Sequence, residues 1–152
     1  MDLFELRLGM YATGPDARAL ADRARRLLDE HAASEASPVT AWALSLVGGG
    51  RPAGPEGEGE PTVAGLYEEL PEQWRVEHPG QEPGERTVTE LRVGVLGDTG
   101  QLRELLDALT ALACPDPVHP GPCPVPWSAG FSEPLDEESR ARLESRYGHL
   151  RG

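Results

Sequence analysis

The stretches FELRLGMYATG, at Phe4–Gly14, and TELRVGVLGDTG, at Thr89–Gly100, decide the fold because their residue patterns are nearly the same. In each stretch apolar and polar residues alternate, and a period of two predicts a strand with one buried face. In each case a helical pattern follows. The apolar stripes of the two predicted helices are Ala17, Leu20, Ala21, Ala24, Leu27, Leu28 and His31, and then Leu102, Leu105, Leu106, Leu109, Leu112 and Ala113. A strand–helix unit is therefore used twice.

The two copies correspond residue by residue at a constant offset, as in Glu5 and Glu90. Duplication explains this match, and chance similarity between common strand–helix patterns is the alternative. Pro38–Val47 predicts a strand between the copies, and Pro124–Phe131 predicts a weaker one after the second helix. Two βαβ halves predict an α+β fold, the ferredoxin-like plait, with both helices on one side of an antiparallel sheet. The two matching strands should then be neighbours at the centre of the sheet.

An acidic insertion separates the two halves. Residues 48–61, GGGRPAGPEGEGEP, combine Gly, Pro and Glu with almost nothing to bury, and this composition predicts a flexible linker. The next segment, Thr62–His78, has apolar residues at helical spacing over its first half. We expect a short helix that ends before Pro71, because proline disrupts a helix interior, and then an extended stretch through Trp74.

A helical extension ends the chain. Leu135–Leu150 predicts a helix capped by Asp136, and we assign residues 132–150 to this extension. The stripe that contacts the rest of the protein should be Leu143, Tyr147 and Leu150. Because 152 residues suit one hydrophobic core, we expect a single α+β domain over residues 1–152.

The predicted sheet face opposite the two helices carries the candidate ligand or interface residues. They are Glu5, Arg7, Tyr11, Glu90, Arg92 and Leu96. Gly9 and Gly94 share this face, and a glycine inside a strand often marks the close approach of another group. The charged residues predict either a structural ladder of ion pairs or a binding site for a polar molecule.

The strand between the copies makes the same face more apolar. It adds Val39, Ala41, Ala43, Ser45 and Val47. Since such a surface is unfavourable in water, we expect a cover. The candidates for the cover are the C-terminal helix, the insertion Thr62–Val76 and a second subunit.

The composition excludes several classes of function. A net charge of −12 repels phosphate backbones and anionic lipid, so we expect neither a nucleic-acid nor a membrane partner. The chain has no long apolar run and no secretory signal, which favours the cytoplasm. It has no lysine, which excludes Schiff-base and P-loop lysine chemistry. The absence of Lys, Asn and Ile is typical of a GC-rich genome, such as an actinobacterial one.

The stretch CPDPVHPGPCPVPW, at Cys114–Trp127, holds the weak candidates for a metal site. Its Cys114, His119 and Cys123 have metal-binding side chains, but the spacing Cys-x4-His-x3-Cys matches no strong zinc signature. The many prolines favour a stiff connector with incidental thiols. A disulfide between the two cysteines is the alternative. We therefore expect no metal and no cofactor.

The sequence contains no recognisable catalytic constellation: neither Gly-x-Ser-x-Gly, nor Gly-x-Gly-x-x-Gly, nor His-Glu-x-x-His occurs. We therefore expect a non-catalytic accessory protein that acts through protein–protein contacts, homodimeric through its open sheet face. One alternative is a regulatory domain that binds a small molecule on the sheet face that carries Gly9 and Gly94. Another is an isomerase or oxygenase resembling the dimeric α+β barrel enzymes.

Overall fold

The computed structural model describes residues 1–34, 39–53, 61–99, 102–114 and 125–152 and has a mixed α+β fold. In chain order the elements are β1 (Asp2–Ala12), α1 (Gly14–Ala33), β2 (Val39–Gly48), α2 (Val63–Leu66), α3 (Glu69–Glu77), β3 (Thr87–Gly97), α4 (Leu102–Ala113), β4 (Trp127–Ser132) and α5 (Glu137–Tyr147), followed by a 3₁₀ helix at Gly148–Arg151. Within these ranges, no helix combines the length and the apolar character that crossing a membrane requires.

The four strands form one open antiparallel sheet in the order β2-β3-β1-β4. The two matching strands, β1 and β3, are neighbours at its centre. In their register Arg7 lies opposite Arg92, so equivalent residues of the two copies meet there. The pairs on either side are reciprocal, because Glu5 lies opposite Gly94 and Gly9 lies opposite Glu90.

The main core lies between one sheet face and the helices α1 and α4. Thr13 caps α1 by accepting a hydrogen bond from the Asp16 backbone N at 3.3 Å, and Pro15 in the first turn has no N–H that needs a partner. The strands contribute Phe4, Leu6, Leu8, Met10, Leu91, Val93 and Val95, and the helices contribute Leu20, Leu28, Leu102, Leu105 and Leu109. The alternate apolar side chains of the strands thus pack against the apolar stripes of α1 and α4 on one face of the sheet.

Val39 belongs to this main core, and the prediction that it lies on the opposite face with Ala41 and Ala43 is wrong. The register of β2 against β3 shifts between Val39 and Ala41. An extra residue in one strand reverses the side to which the preceding side chain points.

The second sheet face, for which the sequence predicted a cover, is covered by helices. Around α2 and α3 a cluster contains Tyr11, Val63, Tyr67, Leu70, Trp74 and Val88. Around α5 another contains Leu3, Leu96, Leu143 and Tyr147, with Leu150 packed against it. Two of the expected covers are therefore present together, and the sheet lies between two helical layers.

The insertion folds differently from its prediction. Helix α3 runs through Pro71 to Glu77, whereas the sequence predicted an extended stretch there. Pro71 is the third residue of α3, and the first N–H groups of a helix have no intrahelical partner. Proline therefore costs no hydrogen bond at this position.

The ends of the predicted 48–61 linker are held by backbone hydrogen bonds. Ala53 N donates to Pro61 O at 2.8 Å, and Val63 N donates to Arg51 O at 2.9 Å. Residues 54–60 lie outside the described residues. Within the described residues the last strand, β4, begins at Trp127, since the preceding Pro126 has no N–H to donate. Pro124, where the predicted strand begins, lies outside the described residues.

Candidate functional site

Two glutamates at equivalent positions of the repeat, Glu5 and Glu90, are buried between the sheet and its second helical layer. Their exposed fractions are 5% and 0%. A buried carboxylate is costly unless charged or hydrogen-bonding partners compensate for the lost water. The partners of each glutamate therefore decide what this region does.

Glu90 is held by a tyrosine from the insertion and by the arginine two residues further along its own strand. Tyr67 Oη donates to Glu90 Oε2 at 2.6 Å, and Arg92 Nε donates to Glu90 Oε1. The other end of Arg92 donates from Nη2 to Pro52 O at 3.2 Å and to Ala53 O at 3.3 Å. The guanidinium of Arg92 is thus engaged by the chain itself.

Glu5 has a similar arrangement built from α5. Tyr147 Oη and Arg146 Nη1 both donate to Glu5 Oε2, each at 2.6 Å. Arg7 is the counterpart of Arg92, but its Nε lies 3.7 Å from Glu5 Oε1, too far for a hydrogen bond. Among the residues that the structure describes, this buried Nε has no hydrogen-bond partner.

The two glycines of the repeat make room for the two tyrosines. A Cβ added at Gly9 would lie 2.3 Å from Tyr67 Cε1, and one added at Gly94 would lie 2.1 Å from Tyr147 Cδ1. Each ring therefore rests directly on the glycine backbone. We call the two sets Gly9–Tyr67–Glu90 and Gly94–Tyr147–Glu5 the Gly–Tyr–Glu clusters.

The sheet register explains why both clusters have the same design. Each glycine lies opposite a glutamate on the neighbouring strand. A tyrosine that lies flat over the glycine therefore places its hydroxyl at the carboxylate one strand away, since paired strands are about 5 Å apart.

The two hydroxyls remain donors over a wide pH range. Burial raises the pKa of Tyr67 well above its usual 10.0, and the hydrogen bond from Tyr67 to Glu90 and the charge of Glu90 raise it further. Burial also raises the pKa of Tyr147, and the charge of Glu5 and the hydrogen bond from Tyr147 to Glu5 add to this increase. Neither phenol is suited to act as a base near neutral pH.

The other predicted site residues on this face have packing roles. Tyr11 makes an edge-to-face contact with Trp74, with ring centroids 6.3 Å apart. Leu96 packs with Leu143 and Tyr147. The structure thus brings Glu5, Arg7, Glu90 and Arg92 together at the strand centre and places Tyr11 and Leu96 in apolar clusters on either side.

The structure describes only one of the three candidate metal residues. Cys114 is buried just after α4. His119 and Cys123 lie outside the described residues. Elsewhere in the described ranges, no group of three His, Cys, Asp or Glu side chains is arranged to hold a metal ion.

A cavity of about 270 Å³ lies beside the Gly94–Tyr147–Glu5 cluster. Arg7 and Glu5 of β1, Phe131 of β4, and Arg142 and Arg146 of α5 are among its lining residues. The sequence prediction included Glu5 and Arg7 but missed the two arginines of α5. Nothing in their spacing distinguishes them from the other charged residues of a solvated helix.

The fold and the site define an α+β protein whose antiparallel sheet is covered on both faces and carries two buried carboxylates. Comparisons of the chain with protein-family models, with curated proteins and with solved structures find no match.

We expect Gly94→Ala to lower the free energy of unfolding by about 1–3 kcal/mol, because the new methyl group overlaps the ring of Tyr147. Gly48→Ala is the matched control: no atom lies within 4 Å of its added Cβ, and we expect a change within about 0.5 kcal/mol. Urea unfolding followed by tryptophan fluorescence measures both. In a Tyr147→Ala background the cost of Gly94→Ala should shrink, and an unchanged cost would contradict the close contact.

The raised tyrosine pKa values predict a loss of stability at alkaline pH. Above about pH 10 the unfolded chain loses tyrosine protons that the folded chain keeps, so stability is complete below pH 10 and falls as the pH rises. The slope is up to about 1.4 kcal/mol per pH unit for each tyrosine. Tyr67→Phe should be less stable than the wild type at neutral pH but should lose stability less steeply above pH 10. Equal slopes for the two proteins in urea unfolding would refute this assignment.

Proposed function

We propose that the chain is a non-catalytic accessory protein that acts through protein–protein contacts and pairs with a second copy of itself. We also propose that its architecture is a ferredoxin-like plait. The strand order β2-β3-β1-β4 supports this, as do the placement of α1 and α4 on one face and the repeated strand–helix unit.

The sheet face is a poor place for the contact with a second copy. Helices α2 and α3 cover one half of that face and α5 covers the other. The same cover argues against the barrel-like enzyme, which needs that face free to enclose a site. The contact surface must then lie elsewhere on the molecule.

We propose that the outer edge of β2 is the surface through which two copies pair. Among the described residues, β2 pairs with β3 alone, so its other edge offers a row of backbone donors and acceptors. Its sequence VTAWALSLVG contains no charge and no proline, and its bulge lies only at the Val39 end. Natural proteins protect such edges with charges, prolines or bulges, because an unprotected edge pairs readily with another strand.

The side chains of β2 are also incompletely buried. Trp42, Leu44 and Leu46 face the main core but remain only half-buried. Antiparallel pairing of two β2 strands about a twofold axis would satisfy the open edge in both copies and cover these side chains further. A second copy fits this surface because the edge is uncharged although each chain carries a net charge of −12.

We also propose that the protein has no nucleic-acid partner, since its acidic net charge repels the phosphate backbone. We further propose a cytoplasmic location. The chain's two cysteines support it, because they are too few for the disulfide scaffold of a small secreted domain.

We expect the wild-type protein to elute as a dimer in size-exclusion chromatography with light scattering, at twice the chain mass of 16.4 kDa. Ser45→Arg should weaken the dimer, because Ser45 is exposed on β2 and two guanidinium groups would meet near the twofold axis. Ala111→Arg is the control, since it adds the same charge at an exposed position of α4.

A monomeric wild type at every concentration would contradict the proposal, as would equal masses for Ser45→Arg and Ala111→Arg. Hydrogen exchange of the wild type gives a second measurement that needs no variant. Amide protons of β2 should exchange more slowly as the protein concentration rises, whereas those of β4 should not change.

A further inference from the structure

The cavity beside α5 has an unusual charge for this protein. The residues that line it include three arginines, Arg7, Arg142 and Arg146, and two glutamates, Glu5 and Glu133. Three arginines against two glutamates leave one positive charge in excess, in a chain whose net charge is −12. Arg142 and Arg146 are one helical turn apart, so α5 presents both on the same side.

The existing contacts leave two of these arginines available. Arg146 is committed to Glu5. Within the described ranges, the ion-pair partner of Arg142 is the exposed Glu138 at 3.3 Å, and exposed ion pairs of this kind contribute little. Arg7 Nε lies 3.7 Å from Glu5 Oε1, and among the described residues it has no hydrogen-bond acceptor. Donors of this kind are satisfied by an acceptor in nearly all folded proteins.

Arg92, the equivalent of Arg7 in the other half of the sheet, has hydrogen-bond acceptors that Arg7 lacks. Arg92 donates to Glu90 and also to the carbonyl oxygens of Pro52 and Ala53, which close over it. Among the described residues, no backbone carbonyl accepts a hydrogen bond from Arg7 in the same way, and Arg7 lines the cavity instead. The Arg7 side chain is 29% exposed, so an acceptor from outside the chain would bind its accessible part rather than the buried Nε.

The geometry points to a small monocarboxylate with an apolar body as the ligand of this cavity. A planar carboxylate matches the guanidinium fork, and one negative charge neutralises the excess charge of the lining. The doubly charged form of phosphate would leave a net negative charge beside Glu5 and Glu133. Phe131, Leu135 and Leu143 supply an apolar wall for the rest of the molecule. The site does not depend on self-association through β2.

The probes are benzoate and its neutral analogue benzamide, with inorganic phosphate as a further anion. In calorimetric titration and thermal shift, benzoate should bind saturably and raise the melting temperature, while benzamide and phosphate bind at least about tenfold more weakly. Arg142→Met should reduce the benzoate affinity by about tenfold or more, because it removes the guanidinium and keeps an unbranched apolar stem. Arg103→Met is the control, since Arg103 is exposed on α4 away from the cavity.

Nitrogen-detected or proton–nitrogen spectra of the wild type provide a direct readout of Arg7. Its Nε resonance should shift on addition of benzoate and not of benzamide, whether or not an Arg7→Met variant folds. The inference is overturned if no benzoate binding is detected, if benzamide binds as well as benzoate, or if Arg142→Met and Arg103→Met bind equally. Preferential binding of phosphate would replace the carboxylate with a phosphate ligand and overturn the stated class.

Discussion

The register of β1 against β3, in which Arg7 lies opposite Arg92 at the centre of the sheet, is the constraint on which the rest of the structure depends. A slip of one residue in either strand would turn the glutamate of that strand toward the main core. Because equivalent residues meet at this point, each glutamate of one strand faces a glycine of the other. The glycines and the glutamates are thus parts of one arrangement, which the register creates twice.

The two Gly–Tyr–Glu clusters extend this constraint to the covering segments. The desolvation of a buried carboxylate cancels much of the free energy that its ion pairs contribute. We therefore interpret the two clusters as determining where the covering segments lie more than as raising the stability of the fold. Tyr67 can reach Glu90 only if the insertion lies over Gly9, and Tyr147 can reach Glu5 only if α5 lies over Gly94. The same two glutamates therefore specify both the sheet register and the placement of the second helical layer.

Much of this arrangement follows from local sequence patterns, and the remainder depends on contacts between distant residues. The alternation in β1 and β3 assigns Glu5, Arg7, Glu90 and Arg92 to one face, and the interior glycines indicate a close approach there. The identity of the approaching group could not be predicted, because Tyr147 lies 142 residues from Glu5 and no periodicity connects them. The course of α3 through Pro71 was missed for another reason. Whether a proline is tolerated depends on where the helix begins, and element boundaries are the weakest part of a sequence prediction.

The difference between the two halves follows from what covers them. The scaffold is repeated, with equivalent strands, glycines and glutamates, but the covers are unrelated segments. The insertion brings the carbonyl groups of Pro52 and Ala53 to Arg92 and closes that half. Helix α5 brings further arginines instead and leaves a cavity at Arg7. A repeated unit gives two equivalent polar positions in one sheet, and covering them differently allows one to serve the fold while the other stays available to a ligand.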